Sequence, residues 1–234
     1  MKGGGGNVRI VLALGGSVVG NGLNPTIVSD YIAKIRQLCL DGAEIHVVIG
    51  GGELKERFSR FGRELRLNEG AIDTVGIMIT RMYAKILAGA LGSLAAQHIP
   101  ISIEEAVAAR DIGKIVVMGG TEPGHSTTTV AALLAEAVGA DIVLKVSDVD
   151  GVYNADPKQD KTAVLIREMR YSDLISLLIN QHQDNKAGTY DVFDITAAKI
   201  LERSRISTRY FNGSSGAKSI DAALNGLIGT KLNP

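Results

Sequence analysis

The stretch Val8-Arg9-Ile10-Val11-Leu12-Ala13-Leu14-Gly15-Gly16-Ser17 decides how the rest of the chain is read. An apolar run interrupted by one charge and closed by two glycines reads as a buried strand that delivers the backbone into a tight turn. Beyond it, residues 26–40 place Ile27, Tyr31, Ile32, Ile35 and Leu38 at helical spacing, and Asp41-Gly42 supplies the stop. Strand, glycine turn and helix form one βα unit.

The unit recurs. Residues 44–49 read as a strand, Gly50-Gly51-Gly52 as its turn and residues 53–67 as a charged amphipathic helix. A long helix is expected from about Asp73 to Gln97. A strand at 115–118 ends in Gly119-Gly120-Thr121, an alanine-rich helix covers 126–138, and 142–146 is a fourth strand. After Asp150 the chain turns often, then predicts helices at 171–179, about 195–204 and 219–227, a polar loop at 181–188 and a strand at 208–212. Such alternation predicts a three-layer α/β/α sandwich around a mostly parallel sheet. No linker separates the halves, about 8–140 and 141–234, so residues 1–234 are expected to be one domain sharing one sheet. In such sheets ligands bind outside the carboxyl ends of the strands, where these glycine turns converge.

Composition narrows the function. Lys plus Arg and Asp plus Glu each number 25 in 234 residues, so no global basic field draws the chain to nucleic acid or an anionic membrane. Aromatics are 4% and tryptophan is absent, which disfavours a base-stacking platform. Cys39 is the single cysteine, which excludes disulfide or cysteine–zinc scaffolding within one chain, and its apolar-periodic setting reads as a structural thiol. No apolar run reaches the roughly 18–20 residues of a membrane span, and residues 1–7 are glycine-rich without a hydrophobic signal core. A cytoplasmic protein is expected. Residues 3–6 precede the first strand instead of following one and are read as a leader.

Glycine lets a backbone approach an anion closely, and helix-start amides turn partial positive charge toward it. Neither a Walker pattern nor a GxGxxG fingerprint with a spaced acid is present, which argues against P-loop enzymes and ordinary dinucleotide enzymes. Gly15-Gly16-Ser17, Gly50-Gly51-Gly52, Gly119-Gly120-Thr121 with Pro123-Gly124-His125, and Val149-Asp150-Gly151-Val152-Tyr153 with Asp156-Pro157 follow one another in an order and spacing similar to the amino acid kinase family. The resemblance spans nearly the whole chain. The loop at 123–125, the GIxxTR stretch at 76–81, and Ala187-Gly188-Thr189-Tyr190 ahead of Asp194 and Ala197-Ala198-Lys199 are most similar to archaeal UMP kinases.

That resemblance implies phosphoryl transfer from ATP to UMP, with magnesium (Mg2+) accompanying ATP, an acceptor lobe in the first half and an ATP lobe in the second. It also implies a homohexamer assembled from dimers through the long helix. Carried over by position, it puts Gly51, Asp73 and the loop Thr121, Glu122, Pro123, Gly124, His125, Ser126 and Thr127 at UMP. Asp73 would accept from a ribose hydroxyl, with helix capping as the alternative. His125 would touch substrate or hold its loop. Gly15, Gly16, Ser17 and Gly52 fall at the ATP phosphates, and Ser147, Tyr153 and Asp156 at the nucleoside end, with a core aromatic role the alternative for Tyr153.

Several positions depart from the pattern. Phosphoryl transfer needs positive charge around the transferred group. Yet Ala13 stands where many relatives have lysine, Glu56 where arginine is common, Thr128 where many have aspartate, and Tyr83 where asparagine is frequent. Lys55, Arg57 and Lys145 are the cations that could compensate. Lys145 and Arg57 are assigned the catalytic role; a lysine snorkelling from a strand edge is the alternative for Lys145. No protein metal-ligand set is expected. Two other readings stay open: another small-phosphate or carboxylate kinase, such as isopentenyl phosphate kinase, whose usual histidine is replaced here by Glu53-Leu54-Lys55, and a nucleotide-binding paralogue without turnover.

Overall fold

The computed structural model describes residues 7–19, 24–155, 157, 160–183 and 193–234. Their strands are β1 (Arg9–Leu14), β2 (Glu44–Ile49), β3 (Val117–Met118), β4 (Ile142–Ser147), β5 (Glu168–Arg170), β6 (Ser207–Asn212) and β7 (Thr230–Asn233). They form one sheet in the order β3-β2-β1-β4-β6-β7-β5, parallel throughout except where β7 runs against β6. From β1 the chain first builds outward through β2 to β3, then returns to the other side of β1 with β4. The crevice of a parallel sheet opens at such a reversal.

Side chains alternate across β1, so both faces are buried. Val11 and Ala13 join a core under α5 (Ile103–Asp111), α6 (Thr127–Val138), α7 (Tyr171–Gln183) and α8 (Ile195–Arg203). Ile10, Leu12 and Leu14 join a second core under α2 (Pro25–Leu40), α4 (Glu69–Leu91) and α9 (Lys218–Leu224). The sandwich therefore has the three layers the alternation predicts. Two further helices, α1 (Gly16–Val19) and α3 (Gly52–Glu64), begin in the glycine turns.

Some boundaries differ for local reasons. The long helix begins at Glu69 because the Asn68 side chain accepts from the Ala71 amide at 2.9 Å, and it ends at Gly92, whose φ is 67°. Asp73 thus lies a turn inside the helix and caps nothing. Helix α5 was not anticipated, although Ser102 and Glu105 are three apart and Ser102 accepts from the Glu105 amide at 3.2 Å. Strands β5 and β7 escaped because neither has an apolar run, and the last helix stops at Leu224, short of 227. Helix α7 runs on to Gln183; the remainder of the expected polar loop, and residues 3–6, lie outside the described residues.

Residues 69–94 are long and apolar enough to cross a membrane by length and composition, which corrects the expectation that no stretch is. Helix α4 instead buries Ile79, Tyr83, Ala84, Leu87 and Leu91 within the second core. At the amino edge of the sheet, Glu44 receives Arg9 Nε at 2.8 Å, Arg110 Nε at 3.1 Å and His46 Nε2 at 3.1 Å. His46 Nδ1 accepts from the Val116 amide at 3.2 Å, so Nε2 carries the hydrogen of the neutral ring. Burial lowers the His46 pKa despite Glu44. Burial pushes the Glu44 carboxyl up, but hydrogen bonds from Arg9 and His46 outweigh it and hold the group below its ordinary value.

Candidate active site

Two glycine loops meet backbone to backbone at the carboxyl edge. Gly15 donates its amide to Val146 O and Gly50 donates its amide to Leu14 O, both at 2.9 Å, which locks each loop onto the neighbouring strand. A Cβ at Gly16 would lie 2.0 Å from the Gly52 nitrogen, and Gly52 itself has φ +56°. Only glycine satisfies both demands. Helix α3 starts at this junction, and α6 starts beside it with Ser126 as cap, accepting from the Thr129 amide at 3.1 Å. Both helices direct their N-terminal partial charge to one place.

Between these loops and α4 lies a cavity of about 240 Å3. Of the residues assigned to UMP, Gly51, Asp73, Glu122, His125, Ser126 and Thr127 line it, as do Gly16 and Gly52 from the phosphate set. Thr121, Pro123 and Gly124 belong to the same loop without forming the wall. Asp73 accepts from the Gly124 amide at 2.9 Å, so it holds this loop with one oxygen. Lys55, Glu56, Gly76, Ile77 and Thr80 complete much of the lining.

The Lys55 stem lies over two glycines: a Cβ at Gly51 would sit 2.5 Å from Lys55 Cβ, and one at Gly76 would sit 3.1 Å from Lys55 Cε. Lys55 is therefore the α3 cation on the wall. Its fixed seat depends on Gly76 of another helix, a pairing no local pattern reveals. Arg57 is exposed and is not among the lining residues. The wall also carries the carboxyl groups of Glu56, Asp73 and Glu122, so its charge leans negative before any ligand binds.

Lys145 sits opposite Ala13 on β1 and Tyr210 on β6. Its ammonium donates to Thr128 Oγ1 at 3.3 Å and lies 5.6 and 5.1 Å from the ring centres of Phe193 and Tyr210. A cation over two ring faces is held by their quadrupoles. Asp194 clasps two helix starts: its side chain accepts from Ser126 Oγ at 2.7 Å, from Thr129 Oγ1, and from the α8 amide of Thr196 at 2.8 Å.

On the other side of the crevice, Asp148 Oδ1 accepts from Ser17 Oγ at 3.1 Å and from Ser147 Oγ at 3.2 Å. This acid joins two predicted residues yet was itself overlooked, because Ser17 comes from α1, 131 positions earlier in the chain, and Ser147 from the end of β4. Farther along the edge, a cavity of about 480 Å3 is lined by Asp150, Arg167, Asn212, Ser214 and neighbours. Tyr153 does not line it, but its hydroxyl donates to Asp150 at 3.1 Å; burial and the Asp150 charge raise the phenol pKa. Asp156 and residues 187–190 lie outside the described residues.

Comparison with known proteins agrees with this geometry. The model of the "Amino acid kinase family" matches residues 8–212. The uridylate kinase of Methanobrevibacter smithii is 39% identical over 225 residues, covering 96% of this chain and 99% of that protein. The crystal structure of uridylate kinase from Archaeoglobus fulgidus superposes with a TM-score of 0.83 at 36% identity, covering 96% of this chain and 100% of the other. A UMP kinase from Bacillus anthracis, at 23% identity and a TM-score of 0.76, shares the fold. With the match running from the first strand to the end of β6, this chain belongs to the amino acid kinase family.

Proposed function

We infer that the protein is a UMP kinase, which transfers the γ-phosphoryl group of ATP to UMP to give UDP and ADP in pyrimidine nucleotide biosynthesis. The observation that carries this reading is the convergence of two interlocked glycine loops and the α3 and α6 starts on one cavity, in a chain 39% identical to a uridylate kinase along almost its whole length. A UMP phosphate oxygen attacks the γ-phosphorus while the bond to the ADP oxygen breaks, so the protein's task is alignment and charge stabilisation.

In this reading the half about 8–140 binds UMP and the half about 141–234 binds ATP, as one domain. Gly51, Asp73 and residues 121–127 hold UMP. Gly15, Gly16, Ser17 and Gly52 hold the ATP phosphates; Ser147, Tyr153 and Asp156 serve the nucleoside end. Lys145 and Arg57 are the proposed catalytic cations, joined by Lys55, which stands on the cavity wall where Arg57 does not. Among the described residues no group of three or more His, Cys, Asp or Glu could hold a metal alone. The Asp148 carboxylate with the Ser17 and Ser147 hydroxyls is a hard oxygen set that fits magnesium carried mainly by phosphates and water. Magnesium bound there would neutralise charge on the ATP phosphates.

A nucleotide kinase works where ATP is held, so the cytoplasm is its proposed compartment. A homohexamer built from dimers is its proposed assembly, supported by exposed Phe58, Phe61, Met78, Met82 and Ile86 on α3 and α4.

A coupled ADP-release assay with ATP, magnesium and UMP, CMP, AMP, isopentenyl phosphate, glutamate or carbamate tests the reading. Turnover is expected with UMP, and Lys145→Ala should cut kcat by about 10-fold or more. Turnover of another acceptor in place of UMP, or silence with ATP still raising the melting temperature, overturns it.

A further inference from the structure

We propose that Arg81 is a positioning residue for the phosphoryl acceptor, acting through the loop after β3 without touching substrate. This inference rests on the reading of the 240 Å3 cavity as the acceptor site. Arg81 is half-buried on α4 and is not part of the cavity wall. Its guanidinium forks onto two successive carbonyls: Nε donates to Gly120 O at 3.0 Å and Nη2 to Thr121 O at 2.9 Å. Thr80 grips the same place from the other side of the peptide. Its Oγ1 accepts from the Gly120 amide at 2.8 Å and donates to Ile77 O at 2.7 Å. The loop is pressed against α4 so closely that a Cβ at Gly119 would lie 2.5 Å from Thr80 Oγ1 and 2.7 Å from the Arg81 nitrogen.

The fork has a consequence for the opposite side of the loop. In a trans peptide the N–H points opposite to the C=O, and none of the described peptides is cis. Turning the carbonyls of Gly120 and Thr121 toward Arg81 therefore turns the amides of Thr121 and Glu122 away from it. Among the described residues neither amide has a hydrogen-bond acceptor. Two successive free N–H groups form a small nest suited to an anionic or carbonyl oxygen. The acceptor offers such an oxygen on its pyrimidine ring and on its phosphate. A guanidinium suits this task because its planar donors satisfy two carbonyls at fixed angles, which a lysine cannot.

The test compares wild type with Arg81→Ala and Arg81→Lys in steady-state kinetics and thermal shift. Arg81→Ala should raise the KM for UMP by about 10-fold or more, the scale of losing two charge-assisted hydrogen bonds. The KM for ATP and the ATP-induced melting shift should stay within about 2-fold of wild type, because the ATP loops are untouched. Arg81→Lys should recover less than half of the loss, whereas added methylguanidinium should restore much of it to Arg81→Ala. Uridine-induced shifts separate the oxygens: loss of the uridine shift assigns the nest to the pyrimidine carbonyl, and its retention with loss of the UMP shift assigns it to phosphate. Equal changes in both KM values, or none in either, overturn the proposal. Wild-type protein that fails to phosphorylate UMP overturns the kinase reading alone, and Arg81 is then judged by the UMP-induced shift.

Discussion

The hydroxyl of Tyr83 is buried without a hydrogen-bond partner among the described residues. Burial, and then the Glu53 charge, push its pKa up, so it stays a neutral donor facing nothing. A buried polar group in that state costs about 1–3 kcal/mol. Tyr83→Phe is therefore expected to raise stability by about 1 kcal/mol in urea unfolding with an unchanged slope; a loss of that size would mean the hydroxyl has a partner. Single residues were legible where backbone chemistry singles them out: the glycines of both loops are where the sequence puts them, whereas Ser126, expected as the first residue of its helix, is instead the cap before it. Asp148, Asp194 and Arg81 were not, because each acts on residues far along the chain. Asp194 and Ser126 are 68 positions apart, and no periodicity encodes their meeting.

Elements were legible where an apolar period runs long enough, which is why β1, β2, β4 and α2 stand within a residue of expectation. Short pieces such as β7 are strands only because β6 and β5 flank them. The junction of β1, β2 and α5 through Glu44 makes a pH prediction. The folded pKa of His46 lies below its ordinary value of 6.5, so in acid the unfolded chain takes up a proton that folded His46 resists. Stability should be full above that value and fall as pH drops below it. Glu44 acts in the same direction: its folded pKa is also lowered, so its contribution is present above its ordinary 4.5 and is lost as pH falls through the folded value. Urea midpoints should decline from pH 6.5 to 5 in wild type and flatten over that range in His46→Gln. Parallel declines in both proteins would remove His46 from the account.

For the whole molecule, the mostly parallel sheet was legible in the alternation of strands and helices, whereas the strand order and the antiparallel β7, set between β6 and β5, needed the structure. Exposed Met78, Met82 and Ile86 repeat every four residues along α4, and Phe58 and Phe61 flank them from α3. If copies pair through this face, Met82→Glu should shift the sedimentation profile to smaller species at equal concentration while leaving the far-ultraviolet spectrum unchanged. An unaltered profile would place the interface elsewhere.

The bare contact of Gly16 with Gly52 carries a mechanical meaning. If Gly16 and Gly52 hold the ATP phosphates as proposed, two backbones resting on each other act as a gauge block for the gap between donor and acceptor, machined once when the chain folds. Tolerance at such a joint is finer than a methyl group, and a misplacement of about 1 Å can slow chemistry about a hundredfold. On that reading the spacing across the joint is set by backbone against backbone, with no side chain whose rotation could change it.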